Sequence, residues 1–282
     1  MKKFCVVITS LLLLLVVISL ALTFFQKSNP LKDKIGLIRI EGPIMDSKDA
    51  VDEIKEYAKD SSIKAILLRI DSPGGAVAPS QEIYSEVKKT LAKKKVIVSM
   101  GSIAASGGYY IAAPSTRIIA NPGTLTGSIG VIMEIPNLEG LMNKIGIRTE
   151  VIKSGRNKDI GSMFRTMKKE ERELLQGLMD NVHEQFIRAV AEGRKKNIED
   201  VREIADGRVF TGEQAVANGL VDELGTLEDA TKVAAKLAGI TGEPEVVSKK
   251  DKISVFDVLR NKIPKELTDV FPTVKMKYLY SP

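Results

Sequence analysis

The stretch S-I-A-A-S-G-G-Y-Y-I-A-A, residues 102–113, surrounds one hydroxyl with small side chains. Ser106 follows the apolar run K-V-I-V-S-M and precedes what reads as a helix. A serine placed there is either part of a tight turn or an exposed nucleophile. In the second case the amides of Ser106 and Gly107 point outward at a helix start, where the dipole favours negative charge. The lack of bulky neighbours would then admit a scissile carbonyl. A second glycine pair closes D-S-P-G-G, residues 71–75, after another apolar strand. Glycines are ordinary turn residues. Their unshielded amides can also donate to a developing oxyanion, where one donor is worth about 2.7–4 kcal/mol in the transition state.

A nucleophilic serine needs a base. His183 is the only histidine, so a Ser-His-Asp triad has a single candidate. It sits at the edge of the apolar face of a long helix, between Val182 and Phe186, a position that suits a structural histidine. Lysine is the other choice. An ordinary lysine has a pKa near ~10.4 and is protonated at neutral pH. Burial or nearby positive charge favours the neutral amine. The segment I-K-S-G-R-N-K-D-I-G-S, residues 152–162, offers Lys153 and Lys158 with Arg156 between them. Composition alone does not choose between the two.

Other chemistries find little support. The 282 residues carry a net charge of +6, with basic residues scattered among acids, and contain no tryptophan for stacking. A nucleic-acid surface is not called for. Cys5 is the only cysteine, which excludes an intrachain disulfide and a cysteine-rich zinc site. It reads as a small apolar residue within a membrane segment.

That segment is F-C-V-V-I-T-S-L-L-L-L-L-V-V-I-S-L-A-L-T-F-F, residues 4–25, without a charge. As a helix it would be ~33 Å long, enough for a bilayer core of ~30 Å. It is longer than the core of a cleavable signal and L-T-F-F-Q-K offers no small-x-small site, so an uncleaved anchor is expected. Lys2 and Lys3 favour a cytoplasmic amino terminus and an extracytoplasmic remainder, at the cell membrane. Lys27, Lys32 and Lys34 beyond the run pull the other way, partly offset by Asp33.

The elements that must position these residues follow a repeated pattern. After a linker at 26–34, a strand ends at Gly42-Pro43 and a helix follows through 49–60. Residues 65–71 form a near-continuous apolar strand, as a buried parallel sheet requires. A helix over 79–94, a strand over 96–100, the Ser106 turn with its helix, and a strand over 117–121 continue the series. Strand, glycine turn and helix in succession predict an α/β fold of stacked βαβ units with right-handed crossovers. Residues 167–196 form a long amphipathic helix whose apolar face runs through Leu174, Leu175, Leu178, Val182, Phe186 and Val190. Thr211 and Gln214 have capping-box spacing, with Gly219 closing that helix, and a last helix over 227–238 ends at Gly239. From about 243 the pattern fades into a mixed-charge tail.

Taken in order, D-S-P-G-G (71–75), A-S-G-G-Y-Y-I-A (105–112), T-G-S-I-G-V (126–131), K-S-G-R-N-K-D-I-G-S (153–162) and G-L-V-D-E-L-G (219–225) resemble the short, single-domain form of the signal peptide peptidase A family. The likeness covers roughly residues 35–240, and the amino-terminal anchor agrees with it. It implies the fold shared by the Clp protease and the crotonases over residues 35–242, and a membrane-anchored serine endopeptidase that degrades signal peptides left after their release from preproteins. By the resemblance Ser106 is the nucleophile, Lys158 the general base and Ser128 the residue that orients the lysine. Gly75 and Gly107 would form the oxyanion hole, with Gly74 and Tyr109 along the substrate. Tyr109 and Tyr110 suit a groove wall and a core equally. The resemblance implies no cofactor and no metal. It implies a homo-oligomer in which serine and lysine come from neighbouring subunits. Three alternatives stand beside it: a related protease cutting membrane-protein tails, a crotonase-like acyl-CoA enzyme, and a non-catalytic oligomeric scaffold.

Overall fold

The computed structural model describes residues 13–15, 18, 33–249 and 277–279. Strand β1 (Lys34–Glu41) turns at Gly42, φ +68°, and leads to α1 (Lys48–Lys59). Next come β2 (Ile63–Ser72), β3 (Gly74–Ala76) and α2 (Val77–Thr90). Then follow β4 (Lys95–Ala105), α3 (Gly107–Ala112), β5 (Arg117–Ala120) and β6 (Leu125–Gly127). A short α4 (Glu139–Lys144) precedes the long α5 (Lys169–Arg194) and α6 (Ile198–Ile204). The chain continues through β7 (Val209–Thr211), α7 (Gly212–Ala217), β8 (Glu223–Leu224), α8 (Leu227–Ala238), β9 (Glu245–Val247) and β10 (Lys277–Leu279).

One sheet takes the order β7-β6-β4-β2-β1-β9, with β5 beside β4 and β8 beside β5. Its pairs are parallel except β6–β7. Both faces are covered, which is why the strands are apolar at nearly every position. Ile66, Leu68 and Ile70 point to the larger core, together with Val96, Val98 and Met100 of β4. Ala65, Leu67 and Ile97 point the other way, onto Ala230 and Ala234 of α8. Each such buried aliphatic side chain contributes roughly 1.5–3 kcal/mol.

The predicted βαβ series is present, and both carboxy-terminal helix signals are where the spacing puts them. The Thr211–Gln214 capping box forms reciprocally. Helix α8 closes on Gly239 in the left-handed region, φ +71°. Two expectations change. Strand β4, expected over 96–100, runs on to Ala105. Its register against β2 slips from Ile70–Met100 to Ser72–Ala104, so Gly101–Ile103 bulge outward. The Asp71 carboxylate accepts from the Ile103 N–H at 3.1 Å and holds the bulge. The apolar face of α5 is also only half covered. Phe186 and Val190 are buried, whereas Leu174 and Leu178 are each 51% exposed.

Apart from Leu13, Leu14, Leu15 and Ile18, the apolar run 4–25 lies outside the described residues, as do Cys5 and most of the linker. Among the described residues no helix is long and apolar enough to cross a membrane.

Candidate active site

Ser106 caps α3 at the end of β4, nearly fully buried, with φ 52° and ψ −116°. A non-glycine residue in that region is strained by about 1–3 kcal/mol and persists only where its surroundings fix it. Here the fixing bonds are backbone ones. The Ser106 N–H donates to the Gly127 carbonyl at 2.8 Å, and the Ser106 carbonyl accepts from the Tyr110 N–H at 2.8 Å. The Ser106 amide is therefore spent inside the turn, contrary to the expectation that it points outward.

The two glycine turns touch. A Cβ placed on Gly107 would lie 2.6 Å from Ser80 Oγ, 3.2 Å from the Gly75 nitrogen and 3.3 Å from Gly74 Cα. One on Gly75 would lie 2.1 Å from the Ile44 carbonyl oxygen, and one on Gly108 would lie 3.0 Å from the Ser72 carbonyl oxygen. The small residues are thus required first by close packing, of Gly75 on the Ile44 backbone after β1, and of Gly107 and Gly108 on Ser80 and the turn after β2. The same packing gathers Gly75 and Gly107 beside Ser106.

Ser128 comes to this end of the sheet from the neighbouring strand. Ala105 pairs with Gly127, so Ser106 and Ser128 each stand one residue beyond that pair. Ser128 also has a left-handed backbone, φ 50°, and its N–H donates to the Arg208 carbonyl at 2.8 Å. Thr126 Oγ1 donates to the Ala104 carbonyl and Thr124 Oγ1 to the Gly101 carbonyl, each at 2.7 Å, which satisfies carbonyls in and just beyond the bulge of β4.

Other predicted residues lie further out. Tyr109 is wholly buried and its hydroxyl donates to the Leu220 carbonyl at 2.9 Å. Its ring is core and offers no groove wall, and burial pushes its hydroxyl pKa up. Tyr110 packs between Tyr84 and Phe186, with ring centroids 5.0 and 4.8 Å away. Lys158 is exposed, and no hydrogen bond joins it to Ser106 or Ser128 within this chain. Lys153 is engaged elsewhere: its amine pairs with Asp159 and donates to the Arg156 carbonyl at 3.0 Å. Arg165 binds Asp159 at 2.9 Å and Glu171 at 2.6 Å, tying this lysine-bearing segment to the start of α5. Arg165, then the Lys168 amide, hold the Glu171 carboxyl down to about 2. Arg165 and Lys153 hold Asp159 well below the usual carboxylate range.

His183 and Ser128 line one cavity of about 410 Å³, with Asp180, Asp206 and Met179. Among the described residues, His183 Nε2 is buried without a hydrogen-bond partner. Its place on this cavity was not legible from helical spacing, which put it only at the edge of the apolar face. Asp71 was missed as a positioning residue, although the quoted D-S-P-G-G motif contains it.

A strained serine at a strand end, glycine amides against it and a second serine alongside are the parts of an acyl-transfer site. The family model described as peptidase family S49 matches residues 88–241, more than half of the chain. The chain belongs to peptidase family S49. A model described as Clp protease matches residues 34–124, in keeping with the mixed α/β sheet. A Synechocystis protein provisionally named protease slr0021 is 49% identical over 74% of this chain and 76% of its own. Protease 4 of Salmonella typhi is 40% identical over 72% of this chain, but the match spans 34% of that protein. An Enterococcus faecium protein provisionally named signal peptide peptidase SppA is 39% identical over 71% and 58%. This S49 member is a serine peptidase of the SppA type.

Proposed function

We propose that the chain is a membrane-anchored endopeptidase that cuts apolar peptides, residual signal peptides among them, through a Ser106–Lys158 dyad. The observation that carries this is the placing of Ser106, in a strained turn, against the Gly75–Gly107 contact and beside Ser128. Neutral Lys158 takes the proton of Ser106 Oγ, which attacks the peptide carbonyl. The amides of Gly75 and Gly107 receive the oxyanion, and the lysine protonates the leaving amine. Water, activated by the same lysine, then releases the acyl group. Ser128 accepts or donates a hydrogen bond to keep the lysine amine aimed at Ser106.

The lysine reaches the serine of a neighbouring subunit. Two features favour this: Lys158 is exposed and unbonded to Ser106 within the chain, and apolar residues near its segment, Ile145, Ile147 and Ile152, are exposed. The substrate class draws on the name of the Enterococcus relative and on the apolar run 4–25, which would hold the catalytic domain at the outer membrane surface. The test is hydrolysis of a fluorogenic apolar peptide by the full-length chain in detergent, wild type beside Ser106→Ala. Cleavage lost only in the variant supports the reading. Equal or absent cleavage by both rejects it, the latter returning the chain to a scaffold role. A preference for free membrane-protein tails over signal peptides would reassign the substrate alone.

A further inference from the structure

β4 reaches Ser106 by way of its bulge, and the bulge sets what stands level with the nucleophile. The pairing of β2 with β4 is regular up to Ile70–Met100 and resumes at Ser72–Ala104, so β4 spends three residues where β2 spends one. Two extra residues leave the faces of the strand in phase, because side chains alternate with a period of two. They also change which residues meet. Without them Gly75 would fall level with Ala105, and Gly107 would lie two residues, roughly 6–7 Å, too far along. With them Gly107 falls level with Gly75, the contact on which the proposed oxyanion site depends.

Side chains have to hold this bulge. On the far edge of β4, β5 pairs only as far as Ser99 and β6 begins only at Ile103. Met100, Gly101 and Ser102 cross the gap between those two partners, where a ladder supplies no bonds. Thr124 Oγ1 donates to the Gly101 carbonyl, and Asp71 Oδ1 accepts from the Ile103 N–H. The Met100 carbonyl, at the first corner of the bulge, is held by Arg69. Its Nη1 donates to that carbonyl at 2.9 Å and to Ser99 Oγ at 2.8 Å. Arg69 is level with Ser99 across the β2–β4 pair, so the half-buried guanidinium reaches one strand over. The N–H groups of a guanidinium lie in one fixed plane, which suits it to fixing two acceptors at once. Arg69 and Asp71, two residues apart on one face of β2, grip the bulge at its two ends.

We propose that Arg69 is a positioning residue for the nucleophile and its oxyanion site: by fixing Met100 it sets the register that brings Gly107 level with Gly75. The proposal rests on the protease reading for the reaction it serves. Arg69 acts through β4 and not on the substrate. Bulges beside active sites commonly re-aim a side chain in this way. Here the strand end that is re-aimed carries Ser106 and the Gly107 amide together.

The test compares hydrolysis of the fluorogenic apolar peptide by the full-length chain in detergent, as wild type, Arg69→Met, Arg69→Lys and Arg69→Met with Asp71→Ala. Arg69→Met keeps an apolar stem and loses the donors. Its kcat should fall by roughly tenfold to a hundredfold with KM little changed, because a misplaced glycine amide is missed mainly in the transition state. Arg69→Lys, which keeps a donor, should recover part of the loss. A peptide aldehyde, whose oxygen enters the oxyanion site once Ser106 has added to it, should lose affinity for Arg69→Met by the same factor as kcat. The matching peptide alcohol should bind as it does to wild type. A purely structural role would weaken both or neither. The double variant should lose little more than Arg69→Met alone, since both side chains hold one bulge. Should Arg69→Met not fold, Arg69→Gln, with a shorter donor, carries the same comparisons. Unchanged kcat, or equal losses for aldehyde and alcohol, overturns the proposal and leaves the protease reading in place. If wild type hydrolyses no peptide, the protease reading fails, and amide hydrogen exchange over residues 101–106 decides the register role. Faster exchange in Arg69→Met supports it, and unchanged exchange overturns it.

Discussion

Ser106 and Ser128 stand side by side, each one residue beyond the Ala105–Gly127 pair of two adjacent parallel strands, and both have positive φ, 52° and 50°. Two neighbouring non-glycine residues with positive φ, at one end of one sheet, concentrate strain beside the candidate nucleophile. The surrounding backbone bonds, Ser106 N–H to Gly127 and Ser128 N–H to Arg208, hold that arrangement.

Strain at Ser106 makes a stability prediction separate from activity. Ser106→Ala removes the hydroxyl and keeps the strained φ, whereas Ser106→Gly also relieves it. Both should lose hydrolysis, and the glycine variant should be the more stable by about 1 kcal/mol, a few degrees in Tm. Thermal unfolding of the pair checks this; equal melting would mean that no strain is stored there.

The two lysines of 152–162 should separate cleanly. Lys158→Ala should abolish hydrolysis with the circular dichroism unchanged. Lys153→Ala, which breaks the Asp159 pair, should leave partial activity. Because a lysine base acts only as the neutral amine, the wild-type rate should rise from pH 6 to 9. A rate flat across that range, or full activity in Lys158→Ala, would move the base to Lys153 or to His183, whose exchange for glutamine is otherwise expected to be silent.

Arg165 anchors the lysine-bearing segment through Asp159 and Glu171. Both carboxyls are depressed in the folded chain, so their contribution is present above their unfolded values, 4.5 for Glu171, and is lost as pH falls through their folded ones, about 2 for Glu171. The anchor should hold at neutral and alkaline pH and fail between these limits. Arg165→Met should release residues 153–165 at pH 7, read as new proteolytic cuts there and a fall in hydrolysis. Protection equal to wild type would show that the segment is held by other contacts.

Asp71 tests how the bulge positions Ser106. Asp71→Ala leaves the half-buried Ile103 amide without its acceptor, a cost of about 1 kcal/mol. Activity should fall mostly in kcat, since Ser106 lies three residues further along the chain, just past the end of β4. Asp71→Asn, which keeps an acceptor oxygen, should restore much of it. Equal losses in both variants would point to a role for the charge instead.

Much of this was decided locally. Apolar strands, helical spacing and glycine turns identified the βαβ series, because a parallel sheet covered on both faces leaves few polar positions in its strands. The Thr211 capping box and the Gly239 terminus were legible because each depends on residues within one turn. The ordered motifs were enough to indicate the family. Long-range packing decided the rest. The bulge that carries β4 on to Ala105 depends on Asp71 from another strand, and the need for Gly75 and Gly107 comes from turns that meet only in the folded chain. Tyr109 became core through a bond to Leu220, 111 residues away. The pairing of Tyr278 with Gly75 is likewise invisible to any local pattern, since strand addition is specified by an open backbone edge rather than by side chains.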